Sequence, residues 1–176
     1  MGTGTALVHA SGDKIEYLGG TGVGGGTLIG LAKKMLGVQN VEIISALAAE
    51  GDLERVDLRI GDITDRELSP TLVMETTAAN FGKVSDIATN GDLALGILNL
   101  VFETIAMVSI FAARSHGLRD VILTGNLSTI PQAGPLFDKT GGMFGFNFRM
   151  PVHAQYATVI GAALTYFDTN GKERKE

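Results

Sequence analysis

Cysteine is absent from the 176 residues, which excludes a disulfide framework and any thiolate metal site and suits a reducing compartment. Positive charge is also short: 14 Lys and Arg stand against 19 Asp and Glu, a net charge of −5. The basic residues gather only in the tail GKERKE, so no nucleic-acid partner is expected. Histidine is scarce, and His9, His116 and His153 show no metal-ligand spacing. Each is read as structural, with no metal site assigned. The longest apolar run, LALGILNLVFETIAMVSIFAA, is broken by Asn99 and Glu103 and lacks signal-peptide flanks. It reads as a buried helix, not a membrane span. Repeats, low-complexity tracts and an obvious linker are lacking too.

With 45% apolar and 19% charged residues, the chain has the make-up of a globular protein. Its length suits one domain over residues 1–176, or one lobe of something larger. Glycine is conspicuous: six of the eight residues from Gly19 to Gly26. The preceding residues read as a strand, a turn at Ser11-Gly12-Asp13 and a second strand from Lys14 to Leu18. After the glycines, Leu28, Leu31, Ala32 and Met35 recur at helical spacing, with Thr27 placed to cap the helix and Gly37 to end it.

Further along, Asn40 and Gly51 bracket a second helix, and Asp52 to Pro70 reads as a short helix and surface loop. TLVMETTAANFGKVSD stays open between helix and turn. A long helix is expected over Gly91 to His116, with Asp92 and Arg114 matched to its dipole. RDVILTGN reads as a buried strand of the continuous apolar kind, ending in the small turn Thr124-Gly125-Asn126. A short helix in PLFDKTGGMFGF, a strand NFRMPV and a closing helix YATVIGAALTYF follow. Gly161, Ala162 and Ala163 suit close approach of that last helix to another element.

Three small-residue turns therefore stand out: Gly2 to Thr5, Gly19 to Thr27 and Thr124 to Asn126. Glycine lets backbone approach a phosphate, Thr and Asn add polar groups without bulk, and a helix N-terminus favours negative charge. Glycine also marks ordinary turns, but three such turns together favour nucleotide binding. Walker A is excluded because no G-x-x-x-x-G-K-[ST] occurs, and G-x-S-x-G is absent. Gly20, Gly22 and Gly25 satisfy G-x-G-x-x-G, the dinucleotide fingerprint of an oxidoreductase. Against that reading, Glu42 falls in an expected helix and the unit before the loop is a hairpin. Asp52, Asp57, Asp62 and Asp65 read as a solvated acidic face.

MGTGTALV, GGTGVGGGTLIGLAKKMLG, AAEGD, TAANFG, VILTGN and YATVIGAAL occur in the order and spacing of the carboxyl-terminal part of type II (eukaryotic-like) pantothenate kinases. The chain resembles that part over nearly its whole length. The resemblance implies an α/β fold, a lobe of the actin-like ATPase (ribonuclease H-like) kind found in the acetate and sugar kinase/actin-like ATPase superfamily. Its mixed sheet would be flanked by helices, with the first strand, which in the family precedes GTGT, missing. The implied activity is ATP-dependent phosphorylation of pantothenate with Mg2+, the first step of coenzyme A synthesis, in a cytoplasmic homodimer.

Carried over residue by residue, Gly2, Thr3, Gly4 and Thr5 are similar to a phosphate-contacting turn. Gly24, Gly25, Gly26 and Thr27, extending to Leu28 and Ile29, resemble the ATP-binding loop and helix start. Val41 and Asn126 match further nucleotide contacts, and the long helix is expected near the dimer interface. The family's D-x-G-G-T loop and catalytic glutamate belong to an amino-terminal lobe outside this sequence, so this chain alone is not expected to be a competent kinase. Where the family commonly carries an arginine toward pantothenate, this chain has Tyr17, which leaves room for a related hydroxyl substrate. A non-catalytic, dimerising short form is the alternative from a different class.

Overall fold

The computed structural model describes residues 1–66, 69 and 72–173, the side chains to residue 167. It is a mixed α/β structure in which helices surround small sheets. β1 (Thr5–Ser11) and β2 (Lys14–Thr21) form an antiparallel hairpin whose register shifts between Leu7 and Val8. β2 therefore runs beyond Leu18 into the glycines. An antiparallel hairpin is not the parallel unit that the dinucleotide fingerprint requires.

Next come α1 (Gly25–Leu36), α2 (Val41–Ala49), the two-residue strand β3 (Leu58–Arg59) and one turn of helix, α3 (Ile60–Ile63). α1 is capped by Gly24, so Thr27 stands at its third position and not at the cap. From there the Thr27 hydroxyl accepts from the Gly24 N–H at 3.4 Å. The Asn40 side chain caps α2 as expected, accepting from Ile43 N–H at 3.0 Å. The segment left open between helix and turn holds β4 (Thr77–Ala79), antiparallel to β3. Pro70 lies outside the described residues.

α4 (Asn90–Ser115) is the longest helix and the centre of the fold. Its residues Ile97, Leu98, Val101, Phe102 and Ile105 meet Leu28 and Ala32 of α1, Ile44 and Ala48 of α2, and Phe137 in one apolar cluster. Burying a large aliphatic or aromatic side chain contributes about 1.5–3 kcal/mol. α4 is long and apolar enough to cross a membrane, but 61% of its most apolar window is buried inside this fold.

β5 (Asp120–Ile122) pairs in parallel with β6 (Asn147–Arg149), joined by α5 (Ala133–Phe144). The expectation of a fully buried β5 is not met, because Ile122 is 56% exposed. One flank of β5 borders β6; the other faces a cavity of about 310 Å³ that separates it from β1. Ile105, Ser109, Ala112 and Ala113 of α4 form the floor. The closing helix α6 (Ala157–Glu173) leaves Val159, Ile160, Leu164, Tyr166 and Phe167 exposed. Gly161 has no heavy atom within 4 Å of where its Cβ would stand, so the expected close approach of α6 is not made there.

The start of α4 is fixed by Asp92, which is 1% exposed. Its carboxylate accepts from Thr89 N–H at 2.7 Å and from Asp52 N–H at 2.7 Å, and Thr89 Oγ1 accepts from Asp92 N–H at 3.2 Å. This capping box ties α4 to the end of α2. The Thr89 amide above all, with Asp52 N–H, the Thr89 side chain and the Arg55 charge, holds the Asp92 carboxyl below its usual range against the effect of burial. Asp92→Ala is expected to lower stability by about 1–2 kcal/mol, read from urea unfolding. A variant as stable as the parent would contradict this account of the α4 terminus.

Candidate functional site

The three small-residue turns come together by backbone contact. Gly25 N–H donates to the Gly2 carbonyl at 2.8 Å and Gly26 N–H to the Thr3 carbonyl at 2.8 Å. On the other side, the Met1 nitrogen donates to the Thr124 carbonyl, and Leu127 N–H reaches the Met1 carbonyl at 3.4 Å. The first turn is thus clasped between the glycine loop and the turn after β5.

Glycine is required at this junction by space. A Cβ on Gly24 would stand 2.7 Å from the Thr3 carbonyl oxygen and 2.8 Å from Gly4 Cα. Gly20 is tighter still, at 2.2 Å from the Thr5 carbonyl oxygen. Both obstacles are backbone, which no rotamer change relieves.

The expected contact residues divide by what they already do. Thr5 is buried and its hydroxyl donates to the Val23 carbonyl at 3.0 Å. The Thr27 hydroxyl donates to the Gly22 carbonyl at 3.1 Å. Leu28 is fully buried in the main cluster, and its N–H donates to the Gly24 carbonyl at 3.0 Å. Ile29 and Val41 are half-buried against the same cluster. These residues build the floor. Gly2, Thr3, Gly26 and Asn126 are exposed, and a Cβ on Gly26 would stand 3.0 Å from the Thr3 methyl. They present a surface of backbone, hydroxyl and amide at the N-terminus of α1. Tyr17 lies apart from the junction in its pairing, opposite Val8 on the hairpin and 69% exposed.

Asp57 corrects the reading of a solvated acidic face. It is fully buried and accepts from Phe81 N–H at 2.8 Å and from the Asn99 amide at 2.8 Å. Asn80 and Asn99 also donate to Glu103 at 3.0 and 3.3 Å. Burial pushes the Glu103 carboxyl up from its ordinary value, aided by the Asp57 charge and opposed by hydrogen bonds from Asn80 and Thr77 and by Lys139. The two interruptions of the apolar run therefore belong to one polar network: Asn99 bridges the buried Asp57 and Glu103. Their spacing at i and i+4, about one helical turn and so one face of the helix, is the signal the sequence offers.

The Fumble family model matches residues 1–132, which contain all three turns. The chain belongs to the Fumble family. This Fumble-family chain is 33% identical over 129 residues to a type II pantothenate kinase of Bacillus cereus, covering 72% of this chain and 46% of that protein. Against a type II pantothenate kinase of Staphylococcus saprophyticus it is 32% identical over 130 residues, covering 72% and 49%. A type II pantothenate kinase of Bacillus anthracis is similar at 33% over 129 residues, covering 72% and 46%. The chain spans about half the length of the curated relatives it matches.

Two glycines of this Fumble-family chain separate a spatial role from an open one. Gly24→Ala is expected to destabilise by about 1–3 kcal/mol through overpacking. Gly30→Ala, in α1 with nothing within 4 Å, should stabilise by about 0.5–1 kcal/mol. Thermal unfolding of the pair checks this, and a neutral Gly24→Ala would contradict the contact. Glu103 gives a pH test. A carboxyl whose pKa is raised on folding keeps its proton in the native state where the unfolded chain has lost it. Stability therefore declines as pH rises from the ordinary value of 4.5 through the raised one. Glu103→Gln should remove that decline in urea unfolding across a pH series; parallel curves for parent and variant would contradict it.

Proposed function

We propose that residues 1–176 form the single carboxyl-terminal, ATP-binding lobe of a pantothenate kinase, the enzyme that phosphorylates pantothenate at the first step of coenzyme A synthesis. The observation that carries the proposal is the clasp of three turns, remote in sequence, at the N-terminus of α1. A helix N-terminus with adjoining glycine backbone favours phosphate. The glycine at position 24 lets the first turn lie directly on the start of α1, which leaves the exposed backbone of Gly2, Thr3 and Gly26 at that helix end for a ligand. Gly2, Thr3, Gly4, Gly26 and Asn126 would hold the nucleotide, with Thr5, Gly24, Gly25, Thr27, Leu28, Ile29 and Val41 keeping that surface in shape.

None of the turn residues is acidic, so Mg2+ would ride on the phosphates, with ligands from outside the turns. When bound, the nucleotide supplies the transferable phosphoryl group. This chain's part is positioning, and a group that activates the attacking hydroxyl is expected in the other lobe. An actin-like lobe with its mixed sheet ordered β2, β1, a further strand, β5, β6 agrees with the cavity between β1 and β5. The homodimer belongs to the proposal, as does a cytoplasmic location. α4 is enclosed by α1, α2 and α5, so the dimer contact falls more readily to the apolar side chains exposed on α6. Tyr17 can hydrogen-bond a substrate but cannot neutralise a carboxylate, which keeps the acceptor as pantothenate or a related hydroxyl compound.

Calorimetric titration of this chain with ATP and magnesium, followed by coupled turnover with pantothenate on the same sample, tests the reading. Binding without turnover is expected. A folded sample that ignores millimolar ATP would overturn it, and turnover by this chain would overturn the need for a second lobe.

A further inference from the structure

Two of the histidines that sequence spacing left apart meet in the fold. His9 on β1 lies directly opposite Glu16 on β2. His116, just past the end of α4, brings its ring centroid to 4.8 Å from that of His9. One ligand atom from each of His9, Glu16 and His116 lies within 4.8 Å of the other two. Glu16 and His116 are exposed and His9 is half-buried.

Hydrogen bonding prepares His116 for coordination. Its Nδ1 stands 3.0 Å from the Ala112 carbonyl and 3.0 Å from Ser115 Oγ. The Ser115 hydroxyl itself donates to the Ala112 carbonyl at 2.8 Å. A carbonyl only accepts, so the Ala112 contact is a hydrogen bond with the imidazole proton on Nδ1, the tautomer assigned on that ground. The lone pair is left on Nε2. Metal-bound histidines characteristically donate their other ring N–H to a carbonyl or carboxylate in this way.

We propose that His9, Glu16 and His116 form a binding site for a divalent transition-metal ion of the Zn2+ class. Two neutral imidazoles and one carboxylate favour such a borderline ion over Mg2+ or Ca2+, which prefer all-oxygen sets. Three protein ligands leave the fourth tetrahedral position to water. Bonds of about 2.0–2.2 Å place tetrahedral ligands roughly 3.4 Å apart. The three side chains must therefore draw in by about an ångström, a movement that the exposed Glu16 and His116 permit. The bound ion fastens the β1–β2 hairpin to the end of α4. Because His9 also borders the cavity between β1 and β5, the ion fixes one wall of that cavity.

The test is titration of the untagged chain with Zn2+ by calorimetry, with Co2+ absorption as a spectroscopic readout and thermal unfolding with and without Zn2+. Circular dichroism verifies the fold of each variant. The chain is expected to bind one ion and to unfold at a higher temperature with Zn2+. His9→Gln, His116→Gln and Glu16→Gln should each weaken binding by roughly tenfold or more and remove the thermal shift. His153→Gln, at the other histidine, should change neither. Absence of Zn2+ binding, affinity retained in both His9→Gln and His116→Gln, or an equal loss in His153→Gln would overturn the site.

Discussion

The carbonyls of Gly2 and Thr3 receive the N–H groups of Gly25 and Gly26, and the rest of the arrangement depends on this pair of hydrogen bonds. They join the entrance of β1 to the start of α1 with no side chain between them. The distance is so short that Gly24 admits no Cβ without moving backbone, and within the hairpin Gly20 admits none against Thr5. Because β1 and β2 are one hairpin, the same contact fixes where the hairpin leaves the junction. The turn after β5 closes the other side through Met1 and Thr124. Glycines that look like phosphate donors thus have a prior structural task. The donors of Gly25 and Gly26 are spent inside the chain, and any anion is left to the exposed turn backbone, Thr3, Asn126 and the α1 dipole.

α4 supplies the base on which that junction rests. It packs against α1, α2 and α5 and touches β1, β2 and β5. Apolar burial does most of this work. One stripe is polar, however: Asn99 and Glu103 meet Asp57 and Asn80 beneath the loop that carries Phe81. No buried side-chain nitrogen or oxygen among the described residues lacks a partner. A satisfied polar network inside an apolar interface favours one register of the helix over its neighbours. It also explains why a run apolar enough for a membrane carries an asparagine and a glutamate.

Local features were legible in the sequence, because local chemistry sets them. Asn40 before α2, the long α4 and the helix following the glycines each carry a cap or a period. Thr27 differs from the expected cap, since its hydroxyl acts backward from the third helical position. What remained hidden depends on contacts between distant segments. Asp57 sits in a polar stretch, and nothing nearby in sequence says that Asn99 will bury it. The exposure of β5 follows from the open cavity between it and β1, which the apolar pattern of VILTGN does not encode. The meeting of His9 with His116 has the same origin: a cross-strand position and a helix end become adjacent only once the hairpin lies on α4. For the candidate site, the turns themselves were legible and their convergence was not.

The central claim is that the three turns act as one nucleotide-facing surface. The most direct measurement is an amide chemical-shift titration of the isotopically labelled chain with ATP and magnesium. The account predicts concerted shifts in the amides of residues 2–5, 24–29 and 125–126, saturating at a single ligand concentration. A folded chain whose three turns stay unmoved, or respond separately at different concentrations, would contradict it.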